Sequence, residues 1–276
     1  MFAFEHTGLY SDNLMMFLDE QNFPFTVVSG LEIKRSMGIR RGKSDKTDSK
    51  LIAEYVYEKR EKIKLFEMPS ATLRALKKLA SYRERLVQER AGFKTRIKEF
   101  KEVFPDTEFV FYTESHKKII ECLDKEIQGI DNEIRKLIKK EEKLHRQYKL
   151  IQTIKGIGPQ TAIIMIVLTK GFSSFENWRK FASFSGTAPY PNESGLYKGK
   201  TKTSNLANKQ IKSLLTLCAE SAIQHNPEMR LYYQRKVEEG KNKMSVLNTI
   251  RNKLIARVFA VAKRNTPYVE TFGFAS

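Results

Sequence analysis

Ile120, Leu123, Ile127, Ile130, Ile134, Leu137, Leu144, Tyr148 and Ile151 follow one another at intervals of three and four, with one place in the series, Glu141, polar. Only a helix brings that spacing onto one side, so this is a sustained heptad seam. A second segment, Ser70–Phe104, carries Leu79, Tyr82, Leu86 and Phe93 at roughly a 3.5-residue period. Pro105-Asp106-Thr107 stands between the two and breaks the helix. Two arms of similar length around one break predict a long antiparallel coiled-coil hairpin. The rest of each arm is heavily charged. The hairpin therefore reads either as a structural spacer or as the surface through which two copies pair into a homo-oligomer.

The remainder must be built around that hairpin, and the chain of 276 residues has room for about two domains. A charge of +18 and a pI near 9.7 point to a polyanionic partner, most simply nucleic acid. The longest apolar run, Ala162–Leu168, is far short of the ~20 residues a membrane helix needs. No membrane role is expected, and a cytoplasmic setting is the default. Cys122 and Cys218 fall in apolar helical patterns and read as reduced core thiols. The four histidines are scattered, and no Cys/His spacing suggests zinc.

The N-terminal stretch alternates strand and helix. Met1–Glu5 reads as a strand, His6-Thr7-Gly8 as a turn, Ser11–Gln21 as a helix and Phe23–Ser29 as a second strand. Two strands and one helix are little for a sheet covered on both faces. Ile33–Lys50 follows, strongly basic with Lys34, Arg35, Arg40, Arg41, Lys43, Lys46 and Lys50. Within it Asp48 follows Asp45 by three. If a helix begins there, both carboxylates lie on one side of it. They serve either as N-terminal helix acids or, neutralised by a divalent cation, as ligands at a phosphate-handling site.

Ile151–Ala162 (IQTIKGIGPQTA) reads as helix, tight Gly156-Ile157-Gly158 turn, and a second helix starting near Gln160. It is similar to a helix-hairpin-helix element. The backbone at its glycines, Lys155, and the free N–H groups at the second helix's start suit a DNA phosphate. An ordinary helical hairpin with glycines for turn geometry is the alternative.

Gly186–Ala222 opens with a loop that Pro189 and Pro191 bar from regular helix. Ser194, backed by Gly195, precedes Lys198, Lys200, Lys202, Lys209 and Lys212, with no acidic residue between Gly195 and Cys218. A hydroxyl on a glycine-supported loop beside a cationic strip suits a group that meets phosphate. A solvated basic loop with a turn serine is the plainer reading. Ser173-Ser174-Phe175-Glu176 fits a capping box, and Asn226-Pro227-Glu228 a second helix start. Ser245–Arg264 carries one apolar and one basic face, and the tail from Thr266 is expected to fray.

Four stretches in this order resemble one family: Phe4-Glu5-His6-Thr7-Gly8-Leu9-Tyr10, Lys43-Ser44-Asp45-Lys46-Thr47-Asp48-Ser49, the Gly-Ile-Gly-Pro turn, and Gly186–Ala222. Together they look like the DEDD insertion-sequence transposases, the Piv-type recombinases guided by a bridge RNA. The resemblance covers nearly the whole chain. It implies a mixed, mostly α fold: a partial RNase H/RuvC-like α/β segment over 1–66, the coiled-coil hairpin over 67–150, and an all-α C-terminal transposase domain over 151–276 with the helix-hairpin-helix.

The resemblance also implies a DNA recombinase in which Glu5, Asp45 and Asp48 hold Mg²⁺ at the scissile phosphate. A serine forms a covalent link to DNA; Ser194 aligns with it, and Ser204, in the same basic loop, is the runner-up. Lys155, Gly156, Gly158, Lys198, Lys200, Lys202 and Lys209 would hold nucleic acid, and a guide RNA would choose the target. The family's first aspartate lies well upstream of the glutamate motif, whereas Met1 stands four residues before Glu5. On that count the chain is expected to be N-terminally truncated and impaired or inactive in strand exchange. Ser49 replaces a small apolar residue of the family, with little expected from it. A nucleic-acid binder without turnover and a structural coiled-coil protein with incidental charge are the competing readings.

Overall fold

The computed structural model describes residues 1–36, 44–104 and 110–270, apart from the Leu9 side chain. Arg40, Arg41, Lys43, the Pro105-Asp106-Thr107 break and the last six residues lie outside the described residues. The chain forms two compact units, Met1–Ser70 and Ala71–Ser276. Helix dominates both, as a mostly α fold requires.

In the first unit, β1 (Phe2–Glu5) and β2 (Phe25–Val28) pair in parallel, Phe2 opposite Phe25 and Glu5 opposite Val28. Parallel neighbours need a crossover, and α1 (Leu9–Glu20) supplies it. Met15 and Leu18 from α1 bury against Phe25, whose ring lies 5.9 Å from Phe4 and 5.6 Å from Phe66. A short helix not expected from the sequence, α2 (Gly30–Ser36), follows β2 and anchors itself through Ile33. Next comes α3 (Asp45–Glu58), which packs on β1 and α2. Past α3 the chain lies along β2: Phe66 N–H donates to the Phe25 carbonyl at 2.8 Å, and Thr26 Oγ1 to the Lys64 carbonyl at 3.1 Å.

The second unit begins with α4 (Ala71–Val103) and α5 (Val110–Lys140). They run antiparallel, because partners converge in opposite chain order: Arg83 with Asp131, Arg90 with Asp124, Phe100 with Tyr112. The seam is buried where it was expected to be, at Ile127, Ile130 and Ile134, but Ile120 and Leu123 are only half-buried. Burial is deepest where the hairpin merges with the helices that follow. The polar place in the seam is also where the helix stops: Glu141 has φ −112 and ψ 104, and α6 (Glu142–Gln152) restarts after it.

Then come α7 (Pro159–Leu168), α8 (Trp178–Phe184), α9 (Lys209–His225), α10 (Pro227–Glu238) and α11 (Lys243–Arg264). One continuous core runs from Leu76 and Ile134 through Ile163, Phe181 and Leu215 to Val261. Fully burying a Leu, Ile or Phe side chain is worth about 1.5–3 kcal/mol, so this shared core ties the α4–α5 hairpin firmly to the C-terminal helices. The residues expected to form an all-α C-terminal domain include a β-hairpin, β3 (Pro189–Ser194) and β4 (Tyr197–Thr203). This corrects the fold expectation. Tyr197, Thr201 and Thr203 favour strand, and the two prolines are tolerated because β3 has no other strand partner.

Three local expectations are also corrected. Helix α8 is capped by Asn177, whose Oδ1 accepts from the N–H groups of Arg179 and Lys180; Ser173 instead donates back to the Lys170 carbonyl. Cys122 is exposed, not a core thiol. The residues after Thr266 are tied down as far as Glu270: Tyr268 N–H donates to Thr153 Oγ1 at 2.8 Å.

Candidate active site

Each predicted acidic residue sits at the end of an element in the first unit. Glu5 closes β1, and its carboxylate lies so close to Gly30 that a Cβ there would meet Glu5 Oε1 at 2.1 Å. Asp45 and Asp48 occupy the first turn of α3, where the helix dipole favours acids. Ser44 caps that helix by accepting Thr47 N–H at 3.2 Å. Asp45 is exposed and Asp48 half-buried. Among the described residues no group of three or more His, Cys, Asp or Glu side chains could hold a metal ion. Glu5, Asp45 and Asp48 thus do not converge as the ligand set of a Mg²⁺ ion.

The serine loop is an excursion between α8 and α9 with both roots pinned together. Asn208, the N-cap of α9, donates its N–H to the Phe184 carbonyl at 3.0 Å, and Gly186 backs directly onto Ala207. Thr187 is fully buried. Its carbonyl accepts from Asn248 Nδ2 at 2.8 Å and Asn252 Nδ2 at 2.9 Å, both from α11. Beyond this anchor the β-hairpin stands in solvent. Ser194 pairs with Tyr197 across the turn residues Gly195 and Leu196. Gly195 has φ +56, and a glycine at positive φ in the first central position is the signature of a II′ hairpin turn.

Ser194 is exposed, and its hydroxyl bonds to no other described residue. Ser204 is half-buried at the far root, and its Oγ accepts Leu206 N–H at 3.1 Å. Lys198, Lys200, Lys202 and Lys209 are all exposed and form no ion pair with a described residue. Lys209 and Lys212 occupy the first turn of α9, which carries no acid of its own, while Glu84 of α4 accepts from Gln210 between them. Cations at a helix's positive end are unfavourable for the helix itself, and they concentrate positive potential beside the loop.

The Gly156–Gly158 turn joins α6 to α7, as expected, and its two glycines have different surroundings. Gly156 has φ +96, and a Cβ on it would strike Ala222 Cβ and the Cys218 carbonyl, each at 2.8 Å. It faces α9. Gly158, the N-cap of α7, has open space where a Cβ would go. Burial pushes the Cys218 thiol up in pKa, against hydrogen bonds from Thr161 and the Gly158 backbone. Lys155 pairs with Glu270 at 3.0 Å, and Gln160 reaches Asp131 of α5 at 2.7 Å.

A sequence reading missed the Thr187–Asn248–Asn252 anchor, since its members lie 61 and 65 residues apart. It also missed the hairpin, although Ser-Gly followed by β-formers alternating with lysines was a usable signal.

The second unit presents a cationic loop with an unengaged serine on an anchored helical body, and the first unit, taken by itself, carries acids at its element ends. Comparison with known proteins gives the family. A model of the Transposase IS116/IS110/IS902 family matches residues 148–234, and a DEDD-type IS110 transposase model matches residues 1–105. The pilin gene-inverting protein of Moraxella lacunata is 27% identical over 273 residues, covering 96% of this chain and 80% of that protein. The transposase for insertion sequence element IS1111A of Coxiella burnetii is 23% identical over 256 residues, covering 83% of this chain and 69% of that protein. An IS110 insertion-element protein of Streptomyces coelicolor is 27% identical over 124 residues, 45% of this chain and 31% of that protein. The chain belongs to the IS110-type DEDD transposases. No helix among the described residues is long and apolar enough to cross a membrane.

Proposed function

We propose that the chain is a DNA strand-transferring recombinase of an insertion element whose nucleophile is Ser194. The observation that carries this reading is an exposed, unengaged serine at a tight turn, followed by five lysines before the next acidic residue. The Ser194 oxygen attacks a DNA phosphorus. A serine–phosphate bond forms, the bond from phosphorus to the leaving deoxyribose oxygen breaks, and the serine proton passes to solvent while the leaving oxygen gains one. Attack by another strand's hydroxyl reverses the exchange, so the phosphodiester is restored without a high-energy cofactor. A serine hydroxyl is a weak nucleophile at neutral pH. The basic loop favours the encounter by drawing the DNA backbone toward the serine through its local positive potential.

Other parts of the reading rest on separate features. The β1–α1–β2 parallel unit supports an RNase H-like domain, and the α6–Gly156–Gly158–α7 turn supports a helix-hairpin-helix that positions DNA. The α4–α5 hairpin supports a coiled coil through which two copies pair; Val103, Val110 and Phe111 near its tip are 71%, 56% and 87% exposed. Guidance by an RNA suits the net charge of +18. A second reading, a nucleic-acid binder without turnover, is favoured by the failure of Glu5, Asp45 and Asp48 to converge on one ion. Mg²⁺-dependent strand exchange would favour the recombinase, and impaired strand exchange the binder.

The test incubates the purified chain with a duplex carrying an element terminus and looks for a denaturant-resistant protein–DNA adduct. The adduct records single attacks, so slow chemistry does not hide it. Its loss in Ser194→Ala, with DNA affinity kept, supports the recombinase; binding with no adduct in the parent supports the binder.

A further inference from the structure

The hairpin's lysines do not share one face, although their spacing suggests they should. Lys198, Lys200 and Lys202 are two residues apart, which in a regular strand points all three the same way. The strand register shifts between Tyr190 and Asn192: Asn192 is opposite Gly199, but Tyr190 is opposite Lys202. One strand advances two residues while the other advances three, the mark of a β-bulge. Residues directly opposite in an antiparallel pair share a face. Lys202 therefore falls on the face of Tyr190, Asn192 and Ser194, while Lys198 falls on the other, opposite Glu193.

Two contacts agree with this assignment. A Cβ on Gly199 would meet both Asn192 Nδ2 and the Tyr197 ring, at 2.8 and 2.9 Å, so those side chains close over Gly199 on the serine's side. The Tyr190 hydroxyl bonds Ser183 of α8, so α8 lies on that side too.

We propose that the face holding Ser194 is the DNA-contacting face of the hairpin and that Lys202, not Lys198, is its phosphate anchor. The opposite face sets the Glu193 carboxylate beside Lys198 and repels phosphate there. Lys202 pairs with Tyr190, four residues along β3 from Ser194, a distance of about 13 Å at ~3.3 Å per residue. With successive phosphates of one duplex strand ~7 Å apart in space, for a rise of ~3.4 Å along the helix axis, that spans roughly two nucleotides. Lys202 positions the strand that Ser194 attacks; it does not touch the reacting atoms. The proposal rests on the reading of Ser194 as nucleophile only for what is attacked, not for which face meets DNA.

The experiment places a photo-cross-linker at single cysteines in the full chain, in a Cys122→Ser background that removes the exposed native thiol. Ser194→Cys, Lys202→Cys, Lys198→Cys and Lys200→Cys are each cross-linked to a labelled duplex carrying an element terminus. Unchanged thermal midpoints confirm that each variant folds. Positions 194 and 202 are expected to cross-link one strand about two nucleotides apart, with positions 198 and 200 several-fold weaker. Lys202→Ala is expected to lower the slope of log affinity against log salt by about 0.9, and Lys198→Ala to leave it unchanged. Equal or stronger cross-links from 198 and 200, or none from 202, would overturn the proposal. If the cross-links fall as expected but Ser194→Ala still forms the adduct, the nucleophile reading fails and the face assignment stands.

Discussion

Thr187 and Asn252 bind each other twice: the Thr187 hydroxyl donates to Asn252 Oδ1 at 3.0 Å, and Asn252 Nδ2 donates to the Thr187 carbonyl at 2.9 Å. Asn248 adds a third bond to the same carbonyl. This fixes the base of the serine hairpin to α11. Leaving a buried partner unsatisfied costs about 1–3 kcal/mol. Asn252→Ala is therefore expected to lower the unfolding free energy by that order, read as a lower urea midpoint at unchanged slope. It should also speed amide exchange across Pro189–Thr203 more than across α4 and α5. Equal acceleration everywhere would show that the anchor does not hold the hairpin in particular.

The turn between α6 and α7 gives a prediction that separates structure from binding. Gly156→Ala puts a Cβ against Ala222 and the Cys218 carbonyl in a backbone of φ +96. It is expected to destabilise by roughly 1–3 kcal/mol. Gly158→Ala meets nothing and has φ −83, so its stability should change little. If α7's start binds phosphate, Gly158→Ala weakens DNA binding with the midpoint unchanged. Equal destabilisation by the two changes would contradict the packing argument.

Asp131 joins the helical hairpin to the turn. Burial alone would raise its carboxyl pKa. Hydrogen bonds from Arg83 and Gln160, with the charges of Arg83 and Arg135, outweigh burial and hold it below its ordinary value. A depressed carboxyl contributes stability above its unfolded pKa, near ~3.9, and loses it as pH falls through the lower folded value. Asp131→Asn should then cost about 0.5–1.5 kcal/mol at neutral pH, the site being partly solvated. The difference from the parent should shrink below about pH 4. Urea unfolding at several pH values checks the sign; a gap that widens in acid contradicts it.

The long-period features were legible because helix burial repeats along the chain. The Ile127–Ile134 seam and the Asn226-Pro227 helix start stand where their spacing puts them, and Asn226 Oδ1 accepts Met229 N–H at 3.2 Å. Competition among neighbours was less legible. Ser173 and Asn177 both suit a cap, and the winner depends on where the preceding turn bonds Ser173. The serine hairpin was hidden by Pro189 and Pro191, which argue against strand. Its face assignment depends on a bulge that no residue type announces. Ser194 and its lysines could be named from the sequence; that Lys198 and Lys202 look opposite ways could not.

The most direct test of the account is to identify the residue that carries DNA after reaction with a duplex bearing an element terminus. The trapped adduct would be digested and its phosphorylated peptide sequenced by mass spectrometry, with Ser194→Ala and Ser204→Ala run in parallel. The account predicts a nucleotide on Ser194, absent from Ser194→Ala and retained in Ser204→Ala. A nucleotide on Ser204, or DNA binding with no adduct on either serine, would contradict it.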